Sequence, residues 1–166
     1  MNRRSMISMT VVTALGLALS ASTAGSAPRA KIKKSQLVGD WALVSVDAPN
    51  ATIQNRPNDG LIVFERSGRF SFALLSSNVP KFASNNRNTG TADENKAVVQ
   101  GNISHFGTYS VADKVITLTV EGSTWPQWTG TDQKRNVISF TGDEIKWTVL
   151  PASIGGTAEV GWKRVK

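Results

Sequence analysis

Cysteine is absent from this chain, and histidine and tyrosine occur once each, at His105 and Tyr109. Without cysteine no disulfide, thiolate metal site, cysteine nucleophile or cysteine-borne lipid anchor can form. With a single histidine, any Ser-His-Asp arrangement has to run through His105. Metal ligation would fall to carboxylates, whose spacing shows neither an EF-hand loop nor a clustered Asp-x-Asp, so no metal and no cofactor are expected. A Gly-rich phosphate loop is missing too, because Gly155-Gly156 is followed by neither a lysine nor a helix. No apolar run reaches the ~20 residues that span a bilayer core, which argues against stable membrane insertion. The 166 residues, 40% of them hydrophobic, suffice for one core and do not call for a second domain.

The N-terminus has the three regions of a secretory signal. Arg3 and Arg4 precede an uncharged apolar run from about Met6 to Leu19, and small residues follow through Ala27. Residues 1–24 are therefore expected to be a cleaved leader. Ala27 is an alternative cleavage point, disfavoured by Pro28 directly after it. The paired arginines fit both the general secretory route and the twin-arginine route. The protein is expected to be exported, to the periplasm or the outside. Arg3 and Arg4 leave with the leader, so 17 of the 19 basic residues remain against 12 acidic ones and the formal charge falls from +7 to +5. Part of that excess sits in Arg29, Lys31, Lys33 and Lys34, within a basic linker over residues 25–36 that lacks apolar periodicity. Solvation explains such a tail without a nucleic-acid partner.

From residue 37 onward, short apolar runs of period two alternate with glycine, asparagine and aspartate. Eight strands are predicted, at about Gly39–Asp47, Gly60–Arg66, Arg69–Ser76, His105–Val111, Lys114–Gly122, Thr131–Thr141, Glu144–Leu150 and Thr157–Val165. Turns are marked by Ser67-Gly68, Ala112-Asp113, Thr141-Gly142-Asp143 and Gly155-Gly156. Connections this short make sequential strands neighbours, and an antiparallel up-and-down meander of eight strands abolishes its edges by closing into an all-β barrel over residues 37–166. One stretch departs from the pattern. Thr91-Ala92-Asp93-Glu94 is a capping box, so a short helix is expected over about 91–102, placed as a lid or side plug. Alternation puts Phe70, Phe72 and Leu74 on one face, as it does Ile116, Leu118 and Val120, and Ile145, Trp147 and Val149. Such an interior is either filled by side chains or open for one small ligand.

Several segments resemble a family. Leu37-Val38-Gly39-Asp40-Trp41-Ala42-Leu43-Val44-Ser45-Val46 is similar to the opening strand of lipocalin-like domains, with its Gly-x-Trp. Gly60-Leu61-Ile62-Val63-Phe64, Gly68-Arg69-Phe70, Phe106-Gly107-Thr108-Tyr109, Val120-Glu121-Gly122-Ser123 and the Trp125-Pro126-x-Trp128-x-Gly130-Thr131-x-Gln133-x-Arg135 run resemble a bacterial and fungal lipocalin-like branch, of calycin type. The resemblance covers nearly all of residues 37–165 and implies a ligand-holding barrel. It also implies a structural clasp, in which an arginine near the C-terminus, here Arg164, lies across Trp41. Where the family pattern often has histidine, this chain has Leu118, which removes a polar contact there.

The candidate ligand-binding residues are Gln133 and Arg135, on one face of a strand, with Phe72, Tyr109, Trp125 and Trp128. A guanidinium and a carboxamide turned into an apolar cup could fix a ligand's polar head while aromatics cover its body. A competing reading pairs Arg135 with Glu121 on the next strand and leaves the tryptophans as packing. The reading adopted is a barrel binding a small hydrophobic or amphipathic molecule. Two alternatives stay open. One is a small isomerase- or cyclase-type enzyme using His105 or Tyr109; the other is a structural envelope module attached through its basic ends. Nothing in the sequence bears on oligomeric state.

Overall fold

The computed structural model describes residues 31–49 and 57–166. The expected leader and both cleavage points lie outside the described residues. Eight strands follow in chain order: β1 (Gly39–Asp47), β2 (Asp59–Phe64), β3 (Arg69–Leu75), β4 (Ile103–Ala112), β5 (Val115–Ser123), β6 (Asp132–Phe140), β7 (Glu144–Val149) and β8 (Ala158–Arg164). Each pairs with the next, and β8 returns to β1, so the sheet is a closed antiparallel up-and-down barrel. Among the described residues two α-helices accompany it, α1 (Lys34–Leu37) and α2 (Ala92–Gly101), with two short 3-10 turns at Arg87–Thr89 and Pro126–Trp128. Among the described residues no helix is long and apolar enough to cross a membrane.

Because strand direction alternates, the long β1–β2, β3–β4, β5–β6 and β7–β8 connections gather at one end, the mouth. The tight turns gather at the other, the base, where Gly68 and Gly142 take positive φ. At the base lies the described part of the stretch read as a basic linker. Lys33 and Lys34 are exposed, but Ile32 and Leu37 are buried, and the Ile32 amide donates to the Asp113 carbonyl at 2.9 Å. An isolated isoleucine among lysines carries no periodicity, so the plug it forms leaves no pattern in the sequence.

The base is clasped across β1 and β8. Trp41 and Arg164 are register partners, and the guanidinium carbon stands 4.2 Å from the indole centroid. Arg164 also donates to the carbonyls of Gln36 (2.6 Å), Val38 (2.8 Å) and Gly142 (3.1 Å), while the Trp41 indole N–H donates to Leu37 O at 2.7 Å. The glycine of Gly-x-Trp has a physical reason: Gly39 has φ 124°, and a Cβ there would sit 2.9 Å from Arg164 Nη1.

The base half of the interior is filled by Leu37, Trp41, Ile62, Phe64, Ile116, Leu118, Ile145 and Trp162, all nearly inaccessible. At ~25 cal/mol per Å², a fully buried aromatic of about 200 Å² contributes up to about 5 kcal/mol, so this layer holds the fold without disulfides. At the mouth, α2 is fixed by the expected capping box. Thr91 Oγ1 accepts from the Glu94 amide at 3.2 Å and the Glu94 carboxylate accepts from the Thr91 amide at 2.7 Å. Amide donation from Ala83 and Thr91 holds the Glu94 carboxyl below its usual range.

Candidate functional site

The mouth half of the barrel is open. A cavity of about 470 Å³ runs from the inner wall to the loops, within the ~300–1,000 Å³ of small-molecule sites. Its wall is apolar because the inward positions of β3, β7 and β8 are Phe72, Leu74, Trp147, Val149 and Val160. Val98 and Val99 of α2 and the loop residues Trp125 and Ile154 form its rim. The question of a filled or open interior thus divides by depth: packed at the base, hollow at the mouth.

Of the expected ligand-binding residues, Phe72, Trp125, Trp128 and Arg135 line this cavity. Tyr109 and Gln133 do not. Tyr109 faces inward at the base end of β4, where its hydroxyl donates to Glu65 O at 3.0 Å and its ring packs edge-on against Phe64. Gln133 follows the same inward alternation as Arg135 but stays at the rim, its amide donating to Thr131 Oγ1 at 2.8 Å. Of the cavity residues that sequence reasoning left out of the site, Leu74, Trp147 and Val149 were legible as inward-facing; Val160 and the 150–157 loop carried no signal of a site.

Arg135 is only 3% exposed. It sits on the inner face of β6 opposite Ile116 and Val149, with its guanidinium carbon 5.3 Å from the Trp128 ring centroid. Its Nη1 donates to the Lys134 carbonyl at 3.1 Å. Burial pushes its pKa down to about 10, which leaves it cationic at neutral pH. The proposed ion pair with Glu121 is not formed. Glu121 points outward and accepts two hydrogen bonds from Arg69, at 2.8 and 3.2 Å.

His105 lies beside this group on the inner face of β4, in a box of Phe70, Phe72 and Trp128 with ring centroids at 5.6, 4.2 and 5.3 Å. Among the described residues neither ring nitrogen has a hydrogen-bond partner, and the same holds for the buried indole N–H of Trp162. Burial, and then the Arg135 charge, push His105 down to about 3, so its imidazole is neutral at pH 7. A pKa this far from neutrality suits proton shuttling at pH 7 poorly. Close beside it, β4 and β5 shift register at Phe106/Gly107, and a Cβ on Gly107 would lie 2.0 Å from the Thr119 carbonyl oxygen. The extra residue is Glu121 on β5, between Val120 opposite Gly107 and Gly122 opposite Phe106. Among the described residues no group of three or more histidine or carboxylate side chains is placed to hold a metal ion.

Comparison with known proteins adds the following. No curated protein matches. Among solved structures, the chain resembles an uncharacterized protein from Bacteroides eggerthii, at 12% identity and TM-score 0.44, covering 78% of this chain and 99% of that one. It also resembles a lipocalin-like protein from Bacteroides uniformis, at 12% identity and TM-score 0.41, with the same 78% and 99% coverage. Bovine odorant-binding protein, solved with a selenium-containing odorant, matches at 14% identity and TM-score 0.42, over 86% of this chain and 78% of that one. The model of the lipocalin-like domain family matches residues 38–165, the whole barrel from Val38 in front of the first strand to Val165 behind the last. The chain therefore belongs to the lipocalin-like domain family.

Proposed function

We propose that the protein is exported and carries a small, largely apolar molecule in the mouth-side cavity, its body among aromatics and its polar head toward Arg135. The observation that carries this reading is the hollow half-barrel, about 470 Å³ of space walled largely by apolar side chains, with Arg135 the single charged group among the described residues that line it. A barrel meant only as a structural module would be expected to pack this half as it packs the base, since every unfilled methylene-sized gap forfeits stability. The leader-like residues 1–24 support export.

Native mass spectrometry of the mature protein, purified from its own host, tests both parts. The expected result is a chain starting at Gly25 or Pro28 with a small organic molecule bound. A chain starting at Met1 overturns export. A bare chain that also fails to take up an apolar fluorophore overturns carriage.

A further inference from the structure

Resting on the cavity reading above, we infer that the occupant is a singly charged anionic amphiphile, a monocarboxylic acid, whose carboxylate pairs with Arg135. The inference starts from a missing partner. The chain has 12 aspartate and glutamate residues. None falls in residues 1–30 or 50–56, so every acid is described, and none of them is buried. The six ion pairs among the described residues use Lys31, Arg69, Lys146, Lys163, Arg164 and Lys166. Arg135 is in none of them, yet it is among the most buried polar residues of the chain.

A guanidinium offers five N–H donors in a planar fork. Burying one without an anion is expensive unless the anion arrives with a ligand. Arg135 lines the cavity, so a ligand in that space reaches it without displacing packed side chains. The count of charges sets the class. Among the described residues that line the cavity Arg135 is the only charged one, and the neighbouring His105 is neutral. One cation balances one negative charge, and the planar fork matches a carboxylate in a two-bond pairing. A phosphate monoester would bring a second charge with nothing to meet it. Most of the remaining wall, with Phe72, Trp128, Trp147 and Val160, is apolar and asks for hydrocarbon behind the head group.

The test uses the mature protein and N-phenyl-1-naphthylamine, a neutral fluorophore that brightens in apolar cavities. It is displaced in turn by decanoic acid, 1-decanol and decylamine at neutral pH. The acid is expected to displace the probe at concentrations about tenfold or more below those of the alcohol, as a charge-assisted pair implies, with the amine weakest. In Arg135→Gln acid and alcohol are expected to become equal competitors, each measured against that variant's own affinity for the probe; Arg135→Lys retains part of the preference. Retained probe binding shows that each variant is folded around an open cavity. Equal displacement by acid and alcohol in the unmodified protein overturns the inference and leaves the cavity reading intact, as does an acid preference that survives in Arg135→Gln. Failure of the unmodified protein to bind the probe overturns the cavity reading and, with it, this one.

Discussion

A buried cation without an anion lowers the stability of the empty protein, and Arg135 is such a cation. Replacing it with an apolar residue of similar length removes that cost. Arg135→Met is expected to stabilise the ligand-free protein by about 1–3 kcal/mol, read from urea unfolding; a loss of stability would mean that the charge is already satisfied. His105 makes the complementary case through pH. Its folded pKa of about 3 lies below the ordinary 6.5, so between those values the unfolded chain binds the proton that the folded one refuses. Stability from this residue is therefore complete above pH 6.5 and falls as the pH drops toward 3, by up to about 1.4 kcal/mol per pH unit. His105→Phe is expected to lose that slope. Unfolding free energies of both proteins at a series of pH values check this, and parallel curves would rule His105 out as its source. Arg135 was singled out in the sequence by type and face, His105 by type alone. What was not legible was the lack of an acidic partner for Arg135, because that depends on Glu121 facing out toward Arg69.

Strands and helices carry the clasp. Arg164 ties β8 to the segment before β1 through the Gln36 and Val38 carbonyls, to the β6–β7 turn through the Gly142 carbonyl and to β1 through the Trp41 ring, so it holds the barrel seam and the α1 plug together. Arg164→Ala is expected to cost about 2–4 kcal/mol, with Arg164→Lys intermediate because a point charge cannot serve three carbonyls in one plane. Equal unfolding midpoints for Arg164→Ala and the unmodified protein would contradict this. At this scale the sequence was most legible. The predicted strands agree with the observed ones to within two residues at either end, because period-two alternation and Gly, Asn and Asp turns are local signals. The largest differences arise where tertiary pairing extends or trims a strand. β4 starts at Ile103, two residues before His105, because Leu74 and Ala73 of β3 are there to pair with. Helix α2 was marked by its own capping box, whereas α1 is a single turn held by the barrel base and had no local mark.

For the molecule as a whole, alternation told which face a residue occupies but not how deep it sits. Depth follows from the register of all eight strands around the closed barrel, a non-local quantity. That is why Tyr109, correctly placed inside, belongs to the packed base, and Arg135, equally inside, belongs to the hollow. Val160→Trp is expected to fill part of that hollow and abolish uptake of N-phenyl-1-naphthylamine while thermal unfolding stays within a few degrees of the unmodified protein; undiminished uptake would place the ligand elsewhere. The closed base has a further consequence for handling and for geometry in the cell. Lys31 reaches Asp113, Lys166 reaches Asp143, and the Val165 amide donates to Asp40 O, so both ends of the described chain emerge on the side opposite the mouth. Anything attached there, whether a purification tag, a neighbouring domain or a solid support, acts as a stalk, and the barrel stands on it like a cup held upright with its opening toward the bulk solution.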